Sequence, residues 1–254
     1  MKLGLFDSGV GGLTVLHQFL AHGLKFEYLY LADTARAPFG TKNVEEIRKI
    51  ALECVDFLLE KGADVVVSAC NTAQAALKIS GTNLGDRFFG ILDFEFPYGF
   101  KKVGILATEA TVKSSVYLEK LCAIGIEAIQ QPCQALVAAI ESCAQDNEIR
   151  NVIAGSIQPL MRAKVEAVIL GCTHFPIVKH IFQELFENIP VLDPAELLAE
   201  KLVSILPTSS NQEAHVNFYV TGDDGDFHKK IKRYEHLIGV PYSIEKVLWG
   251  ESAK

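Results

Sequence analysis

Val65-Val66-Val67-Ser68-Ala69-Cys70-Asn71-Thr72-Ala73 and Val165-Glu166-Ala167-Val168-Ile169-Leu170-Gly171-Cys172-Thr173-His174-Phe175 are two stretches of one kind. Each is an apolar, partly β-branched run that ends in a small residue, then a cysteine, then a polar cluster ahead of a helix-like pattern. Such a run reads as a buried strand with a thiol at its carboxyl end. In an open α/β sheet that end, with the helix N-terminus after it, forms the ligand crevice. One thiol so placed points to a nucleophile. Two of them, far apart in the chain but alike in setting, point to two halves presenting matching groups to opposite faces of one small molecule.

Outward from these strands the chain alternates strand and helix signals. Residues 3–6 form a short apolar strand, and Asp7-Ser8-Gly9-Val10-Gly11-Gly12 a tight turn into a helix from about Leu13. Residues 26–32 read as a strand ending at Asp33, followed by an irregular loop through Pro38, Phe39 and Gly40. Val44, Ile47, Ala51, Val55 and Leu58 recur at helical spacing, with Lys61-Gly62 as the stop. A helix over 73–79 and a strand over 88–92 follow the first cysteine. Residues 94–100, with Pro97 and Gly99, break the pattern and read as the first passage between lobes. The scheme then repeats: strand 103–107, helix from Val112, strand 126–130, helices 134–144 and 156–162, the second cysteine strand, and helices 177–187 and 194–205. Residues 208–212 read as a polar linker, 216–220 as a strand and 226–238 as a helix. Repeated β–α units imply parallel sheets with right-handed crossovers. The expected architecture is two similar α/β lobes related by a pseudo-two-fold, with the active site between them. The first lobe is 1–93 plus 207–254 and the second 94–206.

The chain has 254 residues, 49 % of them apolar, a formal charge of −7 and six cysteines. That length suits two modest lobes. The acidic balance, with no Lys/Arg-rich stripe, argues against nucleic acid or an anionic membrane surface as partner. The N-terminal apolar stretch is too short for a signal-peptide core, and no run reaches the roughly eighteen apolar residues of a membrane span. A cytoplasmic location with reduced cysteines is expected. The cysteines show neither C-x-x-C pairing nor zinc-ligand spacing, and no motif calls for a metal or another cofactor.

Cys54, Cys122, Cys133 and Cys143 read as small buried hydrophobes. Cys70 and Cys172 read differently, because Asn71-Thr72 and Thr173-His174 place polar groups at the strand ends, where they need a partner or a ligand. Inversion of a stereocentre by proton transfer needs a base on one face of the carbon and an acid on the other. A thiol of ordinary pKa, about 8.5, is only slightly ionised at neutral pH, so such a pair must be tuned into one thiolate and one thiol. His174 is placed to assist Cys172. Asp7 is placed to assist Cys70 if their strands are neighbours; because a carboxylate raises a thiol's pKa, it fits an orienting or proton-accepting role. The 7–12 turn matches no phosphate-loop pattern, and its backbone N–H groups suit a carboxylate better. Gly222-Asp223-Asp224-Gly225-Asp226 lacks a calcium loop and reads as a helix N-cap. A redox pair, and a hydrolase or transferase using Cys172 and His174 alone, are the competing readings.

Phe6-Asp7-Ser8-Gly9-Val10-Gly11-Gly12, Asp33-Thr34-Ala35-Arg36-Ala37-Pro38-Phe39-Gly40, Ala69-Cys70-Asn71-Thr72-Ala73, Leu106-Ala107-Thr108-Glu109-Ala110-Thr111-Val112, Gly171-Cys172-Thr173-His174-Phe175 and Val220-Thr221-Gly222-Asp223 together resemble the glutamate racemases of the Asp/Glu racemase superfamily. The resemblance spans nearly the whole chain in order. It implies a cofactor-independent, two-lobed enzyme that interconverts L- and D-glutamate and supplies D-glutamate for peptidoglycan. By that likeness Cys70 and Cys172 are the acid/base pair, Asp7 supports Cys70, and His174, with a carboxylate expected at Glu141, supports Cys172. Ser8, Asn71, Thr72, Thr173, Thr108, Thr111 and the backbone at Phe39-Gly40 are the implied substrate contacts. Phe39 stands where the family usually has Tyr, so contact there is by backbone alone. The partner implied is a small molecule, with a homodimer left open. An aspartate racemase or another member of the superfamily, and a non-catalytic binding protein on the same fold, are the alternatives.

Overall fold

In a computed structural model, which describes residues 1–97, 99–207 and 213–249, the chain alternates strand and helix through most of its length. The elements are β1 (Lys2–Asp7), α1 (Leu13–Ala21), β2 (Glu27–Ala32), α2 (Val44–Glu60), β3 (Val65–Ser68), α3 (Asn71–Ile79) and β4 (Phe88–Gly90). They continue as β5 (Lys102–Ala107), α4 (Glu109–Ser114), α5 (Val116–Cys122), β6 (Glu127–Pro132), α6 (Gln134–Glu141), α7 (Asp146–Ala163), β7 (Ala167–Gly171), α8 (Lys179–Phe186), β8 (Val191–Leu192) and α9 (Pro194–Ile205). The last are β9 (His215–Val220), α10 (Asp224–Arg233) and β10 (Tyr242–Lys246). The linker expected at 208–212 lies outside the described residues.

Two sheets form, ordered β10-β9-β2-β1-β3-β4 and β6-β5-β7-β8, and neighbouring strands pair in parallel throughout. The fold is therefore α/β, with two parallel sheets flanked by helices. Within the larger sheet, β2-β1-β3-β4 has the same connectivity as β6-β5-β7-β8, so one four-stranded unit occurs twice. In each unit the order reverses between the first and third strands, which opens a crevice beyond their carboxyl ends. Cys70 follows the third strand of the first unit, and Cys172 follows that of the second. β3 and β7 are buried along their whole length, as expected of central parallel strands whose sequences are continuous apolar runs.

α2 shows how sequence makes the scaffold. Asn43 caps it by accepting from the Glu46 N–H, and Ile47, Ile50, Ala51, Cys54, Val55 and Leu58 bury one face. It stops at Lys61, followed by Gly62 at φ +89°, a left-handed conformation that glycine adopts without strain. Asp223 likewise caps α10 by accepting from the Asp226 N–H, the role read for the acidic run. One apolar cluster joins Leu3, Leu5 and Phe19 of the first unit through Leu198 and Leu202 of α9 to Val103 and Ile105 of the second. The sheets thus share a continuous core.

Several elements differ from the sequence reading. The helix expected from Val112 begins at Glu109 and breaks at Ser115, where φ is +58°. The helix expected over 156–162 begins ten residues earlier, at Asp146, with Gly155 and Pro159 inside it. β4 is three residues long and α6 ends at Glu141. α10 stops at Arg233 and a single 3-10 turn, Glu235–Leu237, completes the segment. β8 and β10 were not expected; they are short or edge strands whose side chains are half-buried or exposed. Cys122 is exposed and Cys143 only partly buried, against the expectation of burial, because both lie at helix ends that face outward.

Candidate active site

β1 and β3 are paired with Phe6 opposite Ser68, and Ala69 N–H donates to the Phe6 carbonyl, so Asp7 and Cys70 emerge side by side. In the second unit Ala107 pairs with Gly171, which sets Thr108 beside Cys172. The two pairs of strand ends face each other across an inner cavity of about 30 Å³ whose wall includes both cysteines. Ser8, Phe39, Gly40, Asn71, Thr72, Thr108, Thr173 and His174 also line it. Thr111 does not: it is fully buried behind the wall, where its hydroxyl meets those of Thr72 and Thr108. Thr72 and Thr108, from opposite units, are 3.0 Å apart.

Asp7 sits beneath the cavity, wholly buried. One carboxyl oxygen accepts from the Gly9 N–H at 3.0 Å and the other from the Thr173 hydroxyl at 3.1 Å. The N–H groups of the 7–12 turn, expected to meet a ligand carboxylate, are in part satisfied by Asp7 itself. Burial raises the Asp7 pKa, opposed by the charge of His174 and by these hydrogen bonds. Cys70 caps α3, and backbone N–H groups of Thr72 and Ala73 approach its sulfur. Burial and the charge of Asp7 outweigh them and push the thiol well above its ordinary value, so Cys70 rests as a neutral thiol.

Cys172 has different company. Its sulfur is 3.8 Å from His174 Nδ1, and His174 Nε2 is 2.6 Å from Glu141 Oε1. The other oxygen of Glu141 accepts from Lys230 at 2.6 Å, so α10, between the outer strands β9 and β10 of the larger sheet, is ion-paired to α6 of the second unit. Burial opposes a charge on His174, but its bonds to Cys172 and Glu141 overcome that and raise its pKa well above the ordinary value. Burial likewise opposes the charge of Glu141, and His174 with Lys230 brings it down to about 2. Glu141 does not reach the inner cavity; it lines an outer one of about 400 Å³. The two cavities share Ser8, Pro38, Gln134, Val137 and His174 as common wall.

The loop bearing Phe39 and Gly40 is held from behind. Asp33 Oδ1 accepts from Thr221 and Trp249, each at 2.8 Å, and Oδ2 accepts from Arg36 at 2.7 Å. Arg36 lies over the Trp249 ring and also bonds Glu53. The Phe39 ring is buried in the core with Phe6 and Ile47, which leaves its backbone at the cavity. Pro38, Gln134, Val137 and Lys230 are the wall and mouth residues that sequence reasoning missed. Gln134 had a signal, since it opens the helix after a strand's carboxyl end, as Asn71 does. Lys230 had none, because its partner is distant in the chain. Among the described residues no group of three or more His, Cys, Asp or Glu is placed to hold a metal, and no helix is long and apolar enough to cross a membrane.

The chain and its fold resemble known proteins. Residues 14–202 match the model of the Asp/Glu/Hydantoin racemase family. A glutamate racemase of Carboxydothermus hydrogenoformans is 35% identical over 257 residues, covering 97% of this chain and 95% of that one. Among solved structures, the glutamate racemase of Thermus thermophilus in complex with β-chloro-D-alanine superposes with a TM-score of 0.86 at 31% identity, over 99% of this chain and 98% of that one. That of Francisella tularensis in complex with D-glutamate gives 0.83 at 26%, over 99% and 98%. The chain belongs to the Asp/Glu/Hydantoin racemase family and, within it, to the amino-acid racemases.

Proposed function

We propose that this enzyme interconverts L- and D-glutamate by direct proton transfer at the α-carbon, with Cys70 and Cys172 as the acid/base pair, and that it supplies D-glutamate for peptidoglycan in the cytoplasm. The observation that carries the reading is the single cavity walled by two thiols, each from the same position of a repeated unit. The lobes are taken as 1–93 with 207–254, and 94–206. The glutamate racemases among its relatives, one of them holding D-glutamate, support the substrate.

Cys172, 3.8 Å from the His174 ring, acts as base toward one enantiomer, while Cys70, held as a neutral thiol, is the acid. Cys172 takes the α-proton from one enantiomer, and Cys70 delivers its own to the opposite face. The reverse reaction exchanges the roles, as microscopic reversibility demands. Glu141 holds His174 by hydrogen bond, and Asp7 orients the Cys70 side through Thr173 and the 7–12 turn. Ser8, Asn71, Thr72, Thr108 and Thr173, with the backbone at Phe39 and Gly40, hold the substrate carboxylates; Thr111 fixes the Thr72 and Thr108 hydroxyls from behind. Enclosure in a small, buried cavity strengthens these bonds.

Racemisation of each glutamate enantiomer, followed by circular dichroism, tests the proposal with Cys70→Ser and Cys172→Ser. Both variants are expected to lose at least about 10³-fold in kcat/KM, since each removes one of the two proton-transfer groups. Turnover of aspartate with none of glutamate would replace the substrate. An active Cys70→Ser enzyme that traps a covalent intermediate on Cys172 would replace the mechanism with single-cysteine hydrolysis or transfer.

A further inference from the structure

Gln134 begins α6 at the carboxyl end of β6, and its side chain lies in the wall common to both cavities. Its carbonyl oxygen, Oε1, is buried and has no hydrogen-bond partner among the described residues. A buried carbonyl left unpaired carries a desolvation cost that a ligand donor can relieve. The oxygen occupies the space a side chain at position 40 would need: a Cβ built on Gly40 falls 2.8 Å from it and 3.2 Å from Thr108 Cβ. Gly40 therefore serves, by its lack of a side chain, to admit the Gln134 carboxamide between the 33–40 loop and Thr108.

We infer that Gln134 is a substrate-contact residue whose carbonyl oxygen accepts a hydrogen bond from the α-ammonium group of the bound amino acid. This rests on the reading of the cavity as the amino-acid site. Apart from the Ser8 and Thr173 hydroxyls, the side-chain acceptors around it already have donors. Asn71 Oδ1 takes the Tyr117 hydroxyl at 2.5 Å, and Asp7 takes Gly9 N–H and the Thr173 hydroxyl. Glu141 takes His174 and Lys230, while the Thr72 and Thr108 hydroxyls bond one another. An amino acid brings carboxylates, for which hydroxyls and backbone N–H groups suffice, and an ammonium, which needs an acceptor. Among the described residues, Gln134 Oε1 is the fully buried side-chain acceptor in the cavity wall that lacks a donor.

The test measures KM and kcat for L- and D-glutamate in the wild type, Gln134→Met and Gln134→Glu, with competitive inhibition by glutarate, which has both carboxylates and no ammonium. Methionine keeps the length of the side chain and removes the acceptor; glutamate keeps an acceptor at the same place. The expected result for Q134M is a KM raised about tenfold for both enantiomers with kcat little changed, and a glutarate inhibition constant equal to that of the wild type. Q134E retains a KM within about threefold of the wild type, because a carboxylate also accepts from an ammonium. An unchanged KM in Q134M, a glutarate constant that rises in parallel with KM, or a loss in Q134E as large as in Q134M overturns the inference. If Q134M does not fold by thermal melting, Gln134→Ala is read against the same outcomes. Wild-type turnover is measured first, so failure of glutamate as substrate registers separately; the Gln134 series is then run with whichever amino acid the wild type racemises.

Discussion

A methyl group on Gly11 would lie 2.5 Å from the Thr173 hydroxyl and 2.6 Å from His174 Nδ1. Gly11 needs no unusual backbone conformation, so its requirement is space: the 7–12 turn of one unit presses on the 172–174 turn of the other. Gly11→Ala is expected to displace His174 and lower kcat/KM by about 10²-fold, the cost of a misplacement near 1 Å, with a melting curve close to that of the wild type. Glu141→Gln tests the relay of contacts from Glu141 through His174 to Cys172. Cys172 and Glu141 together hold the His174 pKa up, so loss of the carboxylate lowers it, and the imidazolium disappears at lower pH than in the wild type. The basic limb of kcat/KM against pH should shift to lower pH; an unmoved limb contradicts the relay. The thiol-bearing strand ends were visible in the sequence because the pattern is local, a few apolar residues and then a polar break. Lys230, and the withdrawal of Thr111 behind the wall, were not visible, because they follow from how distant segments pack.

At the scale of elements, α9 carries a burden its sequence conceals. Asp193 caps it by accepting from the Ala195 N–H with Oδ1, while Oδ2 is buried and has no partner among the described residues. Burial raises its pKa to about 6 from 3.8. The folded state therefore binds this proton more tightly than the unfolded chain. The carboxylate costs stability as pH rises from about 4 through 6, and the full cost stands above that. Asp193→Asn keeps an acceptor for the cap and removes the charge, so it should raise stability by on the order of 1 kcal/mol at pH 7–8, with the gain vanishing near pH 4. Urea unfolding at the two pH values checks this; equal differences at both contradict it. Element order and the parallel class were legible because β3 and β7 are continuous apolar runs and α2 carries a strong helical period. The sequence signal for α7 begins only at Ser156, after Gly155, yet Ile149, Ile153, Ile157 and Leu160 bury a continuous face that carries the helix through that glycine. The break at Ser115 has no local signal, β8 is only two residues long, and β10 is mostly polar and exposed.

Across the whole molecule, two repeated units share one core through α9 and meet at a cavity with room for about two waters, less than glutamate needs. Substrate must therefore part the strand ends, and the cross-unit contacts at the mouth, Lys230 with Glu141 foremost, must separate and re-form. Amide hydrogen exchange in the 33–40 loop and at the start of α6 should slow when glutamate saturates the enzyme; unchanged exchange there contradicts an opening motion. The repetition itself was legible from two like cysteine strands, whereas the identical strand order of the units appears only in the assembled sheets. The claim on which the account rests is that inversion uses one sulfur on each face of the α-carbon. Its most direct measurement is the early-time distribution of α-deuterium when each glutamate enantiomer is incubated with the enzyme in D2O. Two opposed thiols predict that the inverted product carries solvent deuterium from the first turnovers while unreacted substrate stays protiated; product that retains its original α-hydrogen would contradict them.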